Sequence, residues 1–311
     1  MADAARRIGA HLQAHAVPTG EAELRPVPGP WAFEGGQLGW HAGSGRLYWA
    51  DRLAPALRTV QVEGPAPAED RLVAQLEHPV AGLLVREQGL LLVEDVQEQA
   101  QEQPQGQTPA QEHADTPPSG RAWVLTLEGR RESSLPWPAG VLQALCEDPQ
   151  GQVWAAMETV GGSAVGRVLA HGRFEVRWHL GEALQCLRWH PAEDALYATA
   201  PASGSILVLQ PRQQGVRRLA TLPKGSGRPA GLAFDAEGGV WTALREGWSV
   251  VRLLAGGSLD RVIGLPVPCP CDVALGGADG RQLFIATSRQ SVPLDTLASA
   301  PLSGRLFQFA L

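Results

Sequence analysis

Few residue clusters in this sequence have the spacing of a chemical site. His11 and His15 lie four residues apart on a predicted helix, a spacing that can bind a metal, but no acidic third ligand accompanies them. We interpret the pair as part of a solvated helix face. The sequence has no Gly-x-Ser-x-Gly elbow and no Walker or dinucleotide glycine pattern. Serine-hydrolase and nucleotide chemistry are therefore disfavoured.

The cysteines also offer only a weak chemical signal. Four cysteines in a chain of 311 residues do not make a disulfide framework, and Cys269-Pro270-Cys271 lacks the second close pair of a structural zinc site. Cys146, Cys186 and Cys271 fall on predicted strands of the same kind, described below. They either fill the core, the interpretation we favour, or form a soft site for zinc or copper(I).

Composition narrows the fold class and the partners. The 36 glycines and 25 prolines favour many turns and little helix. The net charge of -6 and the absence of a basic cluster predict no nucleic-acid partner. No apolar run is long enough to span a membrane, and the N-terminus lacks the apolar core of a signal peptide. We predict a soluble, cytoplasmic protein.

One phrase recurs along the chain: a glycine-containing turn followed by a strand with an aromatic residue near its start. The copies are SGRLYWAD, QGQVWAAM, EDALYATA, EGGVWTAL, DGRQLFIAT and the weaker QGLLLVED. Their anchors are spaced by 43, 63, 43, 44 and 43 residues, at Leu47, Leu90, Val153, Leu196, Val240 and Leu283. The long interval holds a Gln/Glu/Pro-rich stretch, which we interpret as an inserted loop at about 97–120.

A period near 43 residues, built of short apolar runs and glycine turns, is typical of propeller blades. We predict an all-β fold, a six-bladed β-propeller with four-stranded blades, over residues 21–311, after an N-terminal arm at 1–20. The last unit has sequence for three strands only. We expect the segment 22–27 to supply the fourth strand, because this closes the ring and leaves no open edge.

The predicted site lies at the face where the innermost strands start and the second strands end. The six aligned strand starts are Gly36, Ala81, Gln143, Gln185, Ala230 and Cys271. The insertion joins the second and third strands of blade two, so we expect it over the same face, as a lid or as a tail. We predict that a small-molecule substrate or ligand binds there, with four candidate binding residues: Asp51, Asp95, Cys271 and Asp272.

Four phrases resemble the senescence-marker-protein, gluconolactonase and luciferin-regenerating-enzyme family, also called regucalcin-like: GRLYWAD, GRPAGLAFDAEGGVWTAL, GLPVPCPCDVALGGADGRQLFIATSR and PLSGRLFQFAL. The resemblance runs from about Gly36 to the C-terminus and is strongest over the last 85 residues. It implies a six-bladed propeller whose central site holds one divalent cation, commonly calcium. Many members of that family hydrolyse sugar lactones or similar esters.

The sequence departs from the ligand pattern that this resemblance implies. The Glu of blade one aligns with Gly36, and only a two-residue shift brings Glu34 into place. Gln143 and Gln185 stand where the family has Asn, and Ala230 replaces the Asp of a Pro-Asp-Gly phrase. Candidate ligands for calcium or zinc are therefore Glu34, Gln143 and Gln185. Because cation–oxygen distances tolerate little change, we expect the inherited metal site to be weak or lost.

Two functions from different classes remain open. The first is a lactonase-type hydrolase in which the three candidate ligands hold a divalent cation and water attacks a lactone or related ester. The second is a catalytically degenerate propeller that binds a metabolite or a partner. No residue is assigned a catalytic role, and the substrate and the oligomeric state are not indicated.

Overall fold

The computed structural model describes residues 24–62, 69–95, 120–290 and 292–311. Within them the regular structure consists of twenty-four β-strands, one short α-helix and two 3₁₀ turns, Ala42–Ser44 and Ala170–Gly172. Six antiparallel sheets of four strands each contain all of these strands. The innermost strand of each blade packs against that of the next, and the first packs against the last. The predicted six-bladed β-propeller is therefore confirmed.

The strands follow the chain from the axis outwards in each blade. Blades one to three are β2 (Gly35–His41), β3 (Arg46–Asp51), β4 (Ala56–Gln61), β5 (Asp70–Gln75); β6 (Val80–Arg86), β7 (Gly89–Glu94), β8 (Gly120–Leu125), β9 (Arg131–Trp137); and β10 (Leu142–Glu147), β11 (Val153–Thr159), β12 (Gly162–Val168), β13 (Phe174–Leu180). Blades four and five are β14 (Cys186–His190), β15 (Ala195–Ala200), β16 (Ser205–Gln210), β17 (Gly215–Thr221); and β18 (Arg228–Phe234), β19 (Val240–Arg245), β20 (Ser249–Leu253), β21 (Leu259–Gly264). Blade six is β22 (Pro270–Gly276), β23 (Gln282–Thr287), β24 (Phe307–Ala310) and β1 (Arg25–Pro26), with helix α1 (Leu294–Ser299) between β23 and β24.

The ring closes through the N-terminal segment. Arg25 pairs with Gln308 and Pro26 with Phe307, so β1 is the outer strand of blade six. The amide of Val27 continues the contact by donating to the carbonyl of Leu306 at 2.8 Å. This confirms ring closure by an N-terminal strand, and the observed pairing occupies the end of the predicted segment 22–27.

The core lies between neighbouring blades. Trp241 of blade five packs in one cluster with Ile285 and Phe307 of blade six, and all three are fully buried. Trp154 of blade three likewise packs with Leu196 of blade four. Aromatic and branched side chains suit these positions because a pleated face is covered only when the next blade is in place. The aromatic residues of the repeated phrase thus hold the ring together.

Irregular pairing marks the starts of five innermost strands. The register shifts after Gly36, Val80, Leu142, Pro229 and Pro270, each within the first two residues of its strand. Such β-bulges leave a residue out of the ladder and turn its side chain in a new direction. The residues left unpaired include four of the predicted strand starts: Ala81, Gln143, Ala230 and Cys271. The bulges therefore shape the face on which a site was predicted.

Two sequence predictions fall outside the described residues. These are the N-terminal arm at 1–20 and, except for Gly120 at the start of β8, the insertion at about 97–120. Within the described ranges no helix has both the length and the apolar character that crossing a membrane requires.

Candidate functional site

A cavity opens on the propeller axis at the face where the innermost strands start. Its deeper part is lined by charged and polar side chains from blades one, four, five and six: Glu34, Arg52, Gln185, Arg188, Arg245 and Asp272. An outer part of about 280 Å³ shares Glu34, Gln185 and Arg245 and adds Arg228, Ala230 and Gln290. This volume is near the lower end of the range for small-molecule sites.

Glu34 forms the charged centre of the cavity wall. Its Oε1 accepts a hydrogen bond from Arg245 Nη2 at 3.0 Å, and the same oxygen lies 3.8 Å from Arg52 Nη1. The Glu34 side chain is only 15% exposed, so water screens these contacts weakly. The Oε1 atom of Glu34 therefore lies beside two guanidinium groups on the cavity wall.

Asp51 orders the loop that carries Glu34. Its carboxylate accepts hydrogen bonds from the amides of Phe33 and Glu34, at 2.9 and 3.1 Å, and from the amides of Leu53 and Ala54. Asp51 is buried and does not line the cavity. The structure gives this predicted binding residue a positioning role, because its four amide partners occupy both carboxylate oxygens.

Arg188 and Asp272 form the floor of the cavity. Arg188 extends from blade four to donate to the carbonyl of Leu38 in blade one at 3.1 Å and to that of Leu232 in blade five at 3.3 Å. Its Nη2 lies 3.6 Å from Asp272 Oδ2. Burial raises the pKa of Asp272 above its ordinary value, although Arg188 favours the ionised form. The floor thus joins four blades through one guanidinium group.

The predicted amide ligands are separated. Gln185 lines both parts of the cavity, and no described residue hydrogen-bonds to its side chain. Gln143 turns away from the axis: its Oε1 accepts from Ser163 Oγ and from the amide of Leu184, and its Nε2 donates to the carbonyl of Gly162. Gln143 therefore holds the junction of blades three and four, with its amide oxygen already occupied.

Asp95 and Cys271 differ in their access to the cavity. Asp95 follows β7, where its amide donates to the carbonyl of Pro79 at 2.7 Å, and it is not among the lining residues. Cys271 lines the deeper part, and its thiol contacts the carbonyl of Cys269. Burial raises the pKa of Cys271 far above its ordinary value, so the thiol stays protonated at neutral pH. A thiolate nucleophile is not supported at this position.

The donor set does not fit a divalent cation. Ala230 borders the outer cavity with a methyl group, Gln143 is engaged elsewhere, and the Glu34 carboxylate is held by Arg245. A cation bound to Glu34 would lie beside two positive charges, whereas calcium prefers several compensating oxygen ligands. Among the described residues no group of three or more His, Cys, Asp and Glu side chains is placed to hold a metal. The side chains that are present therefore do not form the divalent-cation site that the resemblance implies.

The arginines that line the cavity were not predicted as site residues from the sequence. Arg52 and Arg245 occupy one repeat position, five residues after the anchors Leu47 and Val240 and one residue beyond the second strand or at its end. Extending the repeat alignment by this residue reveals the pair. No repeat position identifies Arg188. In the sequence it looks like any solvent-exposed arginine on a strand, because its partners lie in other blades.

Comparisons with known proteins agree with this architecture. A family model described as the SMP-30/gluconolactonase/LRE-like region matches residues 36–289. A 6-deoxy-6-sulfogluconolactonase from Pseudomonas putida is 43% identical over 97 residues, which cover 30% of this chain and 33% of that protein. The match thus spans about a third of the relative's length.

Solved structures show the same fold. A luciferin-regenerating enzyme has a TM-score of 0.72 at 13% identity, covering 93% of this chain and 95% of its own. A regucalcin from Agrobacterium tumefaciens, described as a calcium-binding protein, has a TM-score of 0.69 at 15% identity, covering 93% of each chain. At these identities the likeness concerns the fold alone. Because the family model matches most of the sequence, the chain belongs to the SMP-30/gluconolactonase/LRE-like family.

Proposed function

We propose that this protein hydrolyses a small lactone or related ester in the axial cavity. The observation that carries the proposal is the Glu34 carboxylate held 3.0 Å from the Arg245 guanidinium on the wall of that cavity. Ester hydrolysis needs a base to activate water and positive charge to stabilise the oxyanion that develops on the carbonyl oxygen. Glu34 provides the base, and Arg245 provides the positive charge.

The reaction can be written with these two side chains. Glu34 takes a proton from water as the water oxygen adds to the lactone carbonyl carbon. Arg245 uses one N–H group on Glu34, and its remaining N–H groups are available to the carbonyl oxygen. When the ring C–O bond breaks, the ring oxygen receives the proton from Glu34, and the product is the open hydroxy acid.

The relatives support a lactone as the substrate class. The family model includes gluconolactonases in its description, and the Pseudomonas putida relative is named for a sulfonated sugar lactone. A divalent cation, which was predicted as a possible cofactor, has no step in this mechanism because the donor set does not fit one. The predicted cytoplasmic location stays part of the proposal, supported by four cysteines that form no disulfide.

The proposal is tested by acid release from a panel of sugar lactones and simple esters, with wild-type protein and two site variants. Glu34→Gln removes the base and is expected to lower kcat by about 10²–10⁴. Arg245→Met removes the oxyanion donor and is expected to lower kcat by about 10²–10³.

A matched control exists at the opposite face. Arg86 and Glu147 form an Arg–Glu pair at 2.8 Å, at the far ends of two innermost strands. Glu147→Gln makes the same chemical change away from the cavity and should leave kcat unchanged. Wild-type protein that hydrolyses no member of the panel contradicts the function, and a fully active Glu34→Gln variant contradicts the assigned base.

A further inference from the structure

We infer that the floor of the axial cavity is an anion site built on Arg188, so that the ligand is a sugar-acid derivative whose extra anionic group binds there without a divalent cation. The inference takes only the location of the pocket from the proposed function. Its evidence is a different set of contacts, those at the deep end of the cavity.

The first observation is the unused hydrogen-bonding capacity of Arg188. Its Nε and Nη2 donate to two backbone carbonyls, and its Nη1 has no hydrogen-bond partner in the described part of the chain. Arg188 lines the deeper cavity, where its side chain keeps 23% exposure. A guanidinium group with free N–H donors in an enclosed space suits a planar or tetrahedral oxyanion.

The second observation is that Asp272 does not use up this charge. The amides of Leu38 and Val273 donate to Oδ2 and Oδ1 of Asp272, at 2.8 and 2.9 Å. Arg188 lies beyond hydrogen-bond range, at 3.6 Å from Oδ2. The carboxylate is thus satisfied by backbone donors, and the guanidinium group is held beside it with donors to spare.

The third observation is the charge balance of the cavity. In the deeper part of the cavity, three guanidinium groups, of Arg52, Arg188 and Arg245, face two carboxylates, of Glu34 and Asp272. One positive charge remains, although the whole protein carries a net charge of -6. An uncharged ligand would leave this charge without compensation in a partly enclosed space, whereas an anionic ligand would neutralise it.

Space for such a group exists beside the floor. Gly36 lines the deeper cavity, and a Cβ added to it would meet no atom within 4 Å. Because Gly36 carries no side chain, its position leaves room for a ligand group and places no charge of its own beside the floor.

The test is calorimetric binding of three open-chain compounds in chelator: glucitol, gluconate and glucarate, which carry no, one and two carboxylates. Wild-type protein is expected to bind glucarate at least tenfold more tightly than gluconate, a difference of about 1.4 kcal/mol, and to bind glucitol more weakly still. Raising the salt concentration should weaken glucarate binding. Equal affinity for all three, or binding that is lost in chelator and restored by calcium, overturns the inference.

Variants at the floor of the cavity test whether the preference for glucarate depends on Arg188. Arg188→Met should reduce glucarate affinity at least tenfold, and Arg188→Lys should reduce it less. Because Arg188 also joins blades, Gly36→Glu and Gly36→Gln provide a second route that keeps its contacts. The two side chains are alike in size, so weaker glucarate binding in Gly36→Glu than in Gly36→Gln reports charge. Equal binding by these two variants, or an unaltered Arg188→Met variant, contradicts the anion site.

The binding of these compounds can be measured independently of lactone hydrolysis. These compounds contain no bond for the proposed reaction to break, so binding is measured whether or not lactones are hydrolysed. Glu34→Gln should lose hydrolysis and keep the preference for glucarate. Wild-type protein that prefers glucarate but hydrolyses no lactone contradicts the proposed function alone. Wild-type protein that hydrolyses lactones but shows no preference for glucarate contradicts the anion site alone.

Discussion

Two turns on one face of the propeller are nearly identical, whereas the site on the opposite face is assembled from residues that do not repeat. In blades three and five, Asp148 and Asp235 accept hydrogen bonds from the amides two and four residues later and from the indole of Trp154 or Trp241. Each turn is closed by residues within its own blade. The repeated sequence is therefore retained at the turns that each blade needs in order to fold.

The axial site, in contrast, depends on contacts between different blades. Glu34, Arg188, Arg245 and Asp272 belong to four different blades, and three of their hydrogen bonds cross 150, 211 and 234 residues of sequence. The bulges at the strand starts free side chains from the ladder without disturbing the packing between blades. We infer that the ring tolerates change at axial positions such as Gly36, where an added side chain meets no neighbouring atom.

The largest effect is expected from opening the ring. Deleting the sequence through Val27 removes β1 and exposes the edge of β24. We expect loss of soluble monomer, measured by size-exclusion chromatography. A monomeric deletion variant with an unchanged thermal midpoint would show that the outer strand of blade six is dispensable.

A second prediction compares the two turns directly. Asp235 also contacts Arg252 at 2.6 Å, and Arg252 is buried. Asp235→Ala leaves that arginine with Asp260 and Glu237 and should cost about 2–4 kcal/mol of unfolding free energy, whereas Asp148→Ala should cost about 1–2 kcal/mol. Denaturant unfolding measures both, and equal losses would show that Arg252 adds nothing.

The same turn predicts a pH dependence. Burial alone would raise the pKa of Asp235, but Arg252, the Gly239 amide and the Trp241 indole lower it to about 2. A lowered folded-state pKa stabilises the protein above the unfolded value of about 3.9, and this contribution is lost as the pH falls towards about 2. Asp235→Asn should therefore flatten the fall in stability across that window, whereas an unchanged slope would assign the acid sensitivity to other groups.

The repeated turns could be predicted from the sequence, whereas most contacts of the axial site could not. The anchors Leu47 to Leu283 predicted the blades because every blade needs the same turn and the same aromatic packing. The position of Glu34 was reached only through a shift in alignment. Arg188 was missed because its partners, Leu38 and Leu232, lie on other blades, and no spacing in a single sequence encodes that contact. Asp51 was predicted to bind substrate because it lies at the end of a second strand. The sequence does not show whether such a carboxylate binds backbone amides, as Asp51 does, or faces the cavity.

The smallest effect is expected within the site. Gly36→Ala places a methyl group in open space and should change the unfolding free energy by about 0.5 kcal/mol or less. Gly231→Ala is the contrast, because its Cβ would clash with Asp272 Oδ1 and with the Asp272 backbone. Thermal unfolding of the two variants distinguishes them, and equal losses would mean that the axial face is not tolerant at Gly36.

The central claim is that guanidinium groups take the place of a divalent cation at this site. Its most direct test is the hydrolysis of the γ-lactone of glucaric acid by chelator-treated protein, with bound metal measured in the same sample. The account predicts turnover that is unaffected by the chelator and by added calcium, and that falls about 10²–10³-fold in Arg245→Met. Turnover that disappears with the chelator and returns with one equivalent of calcium would contradict it.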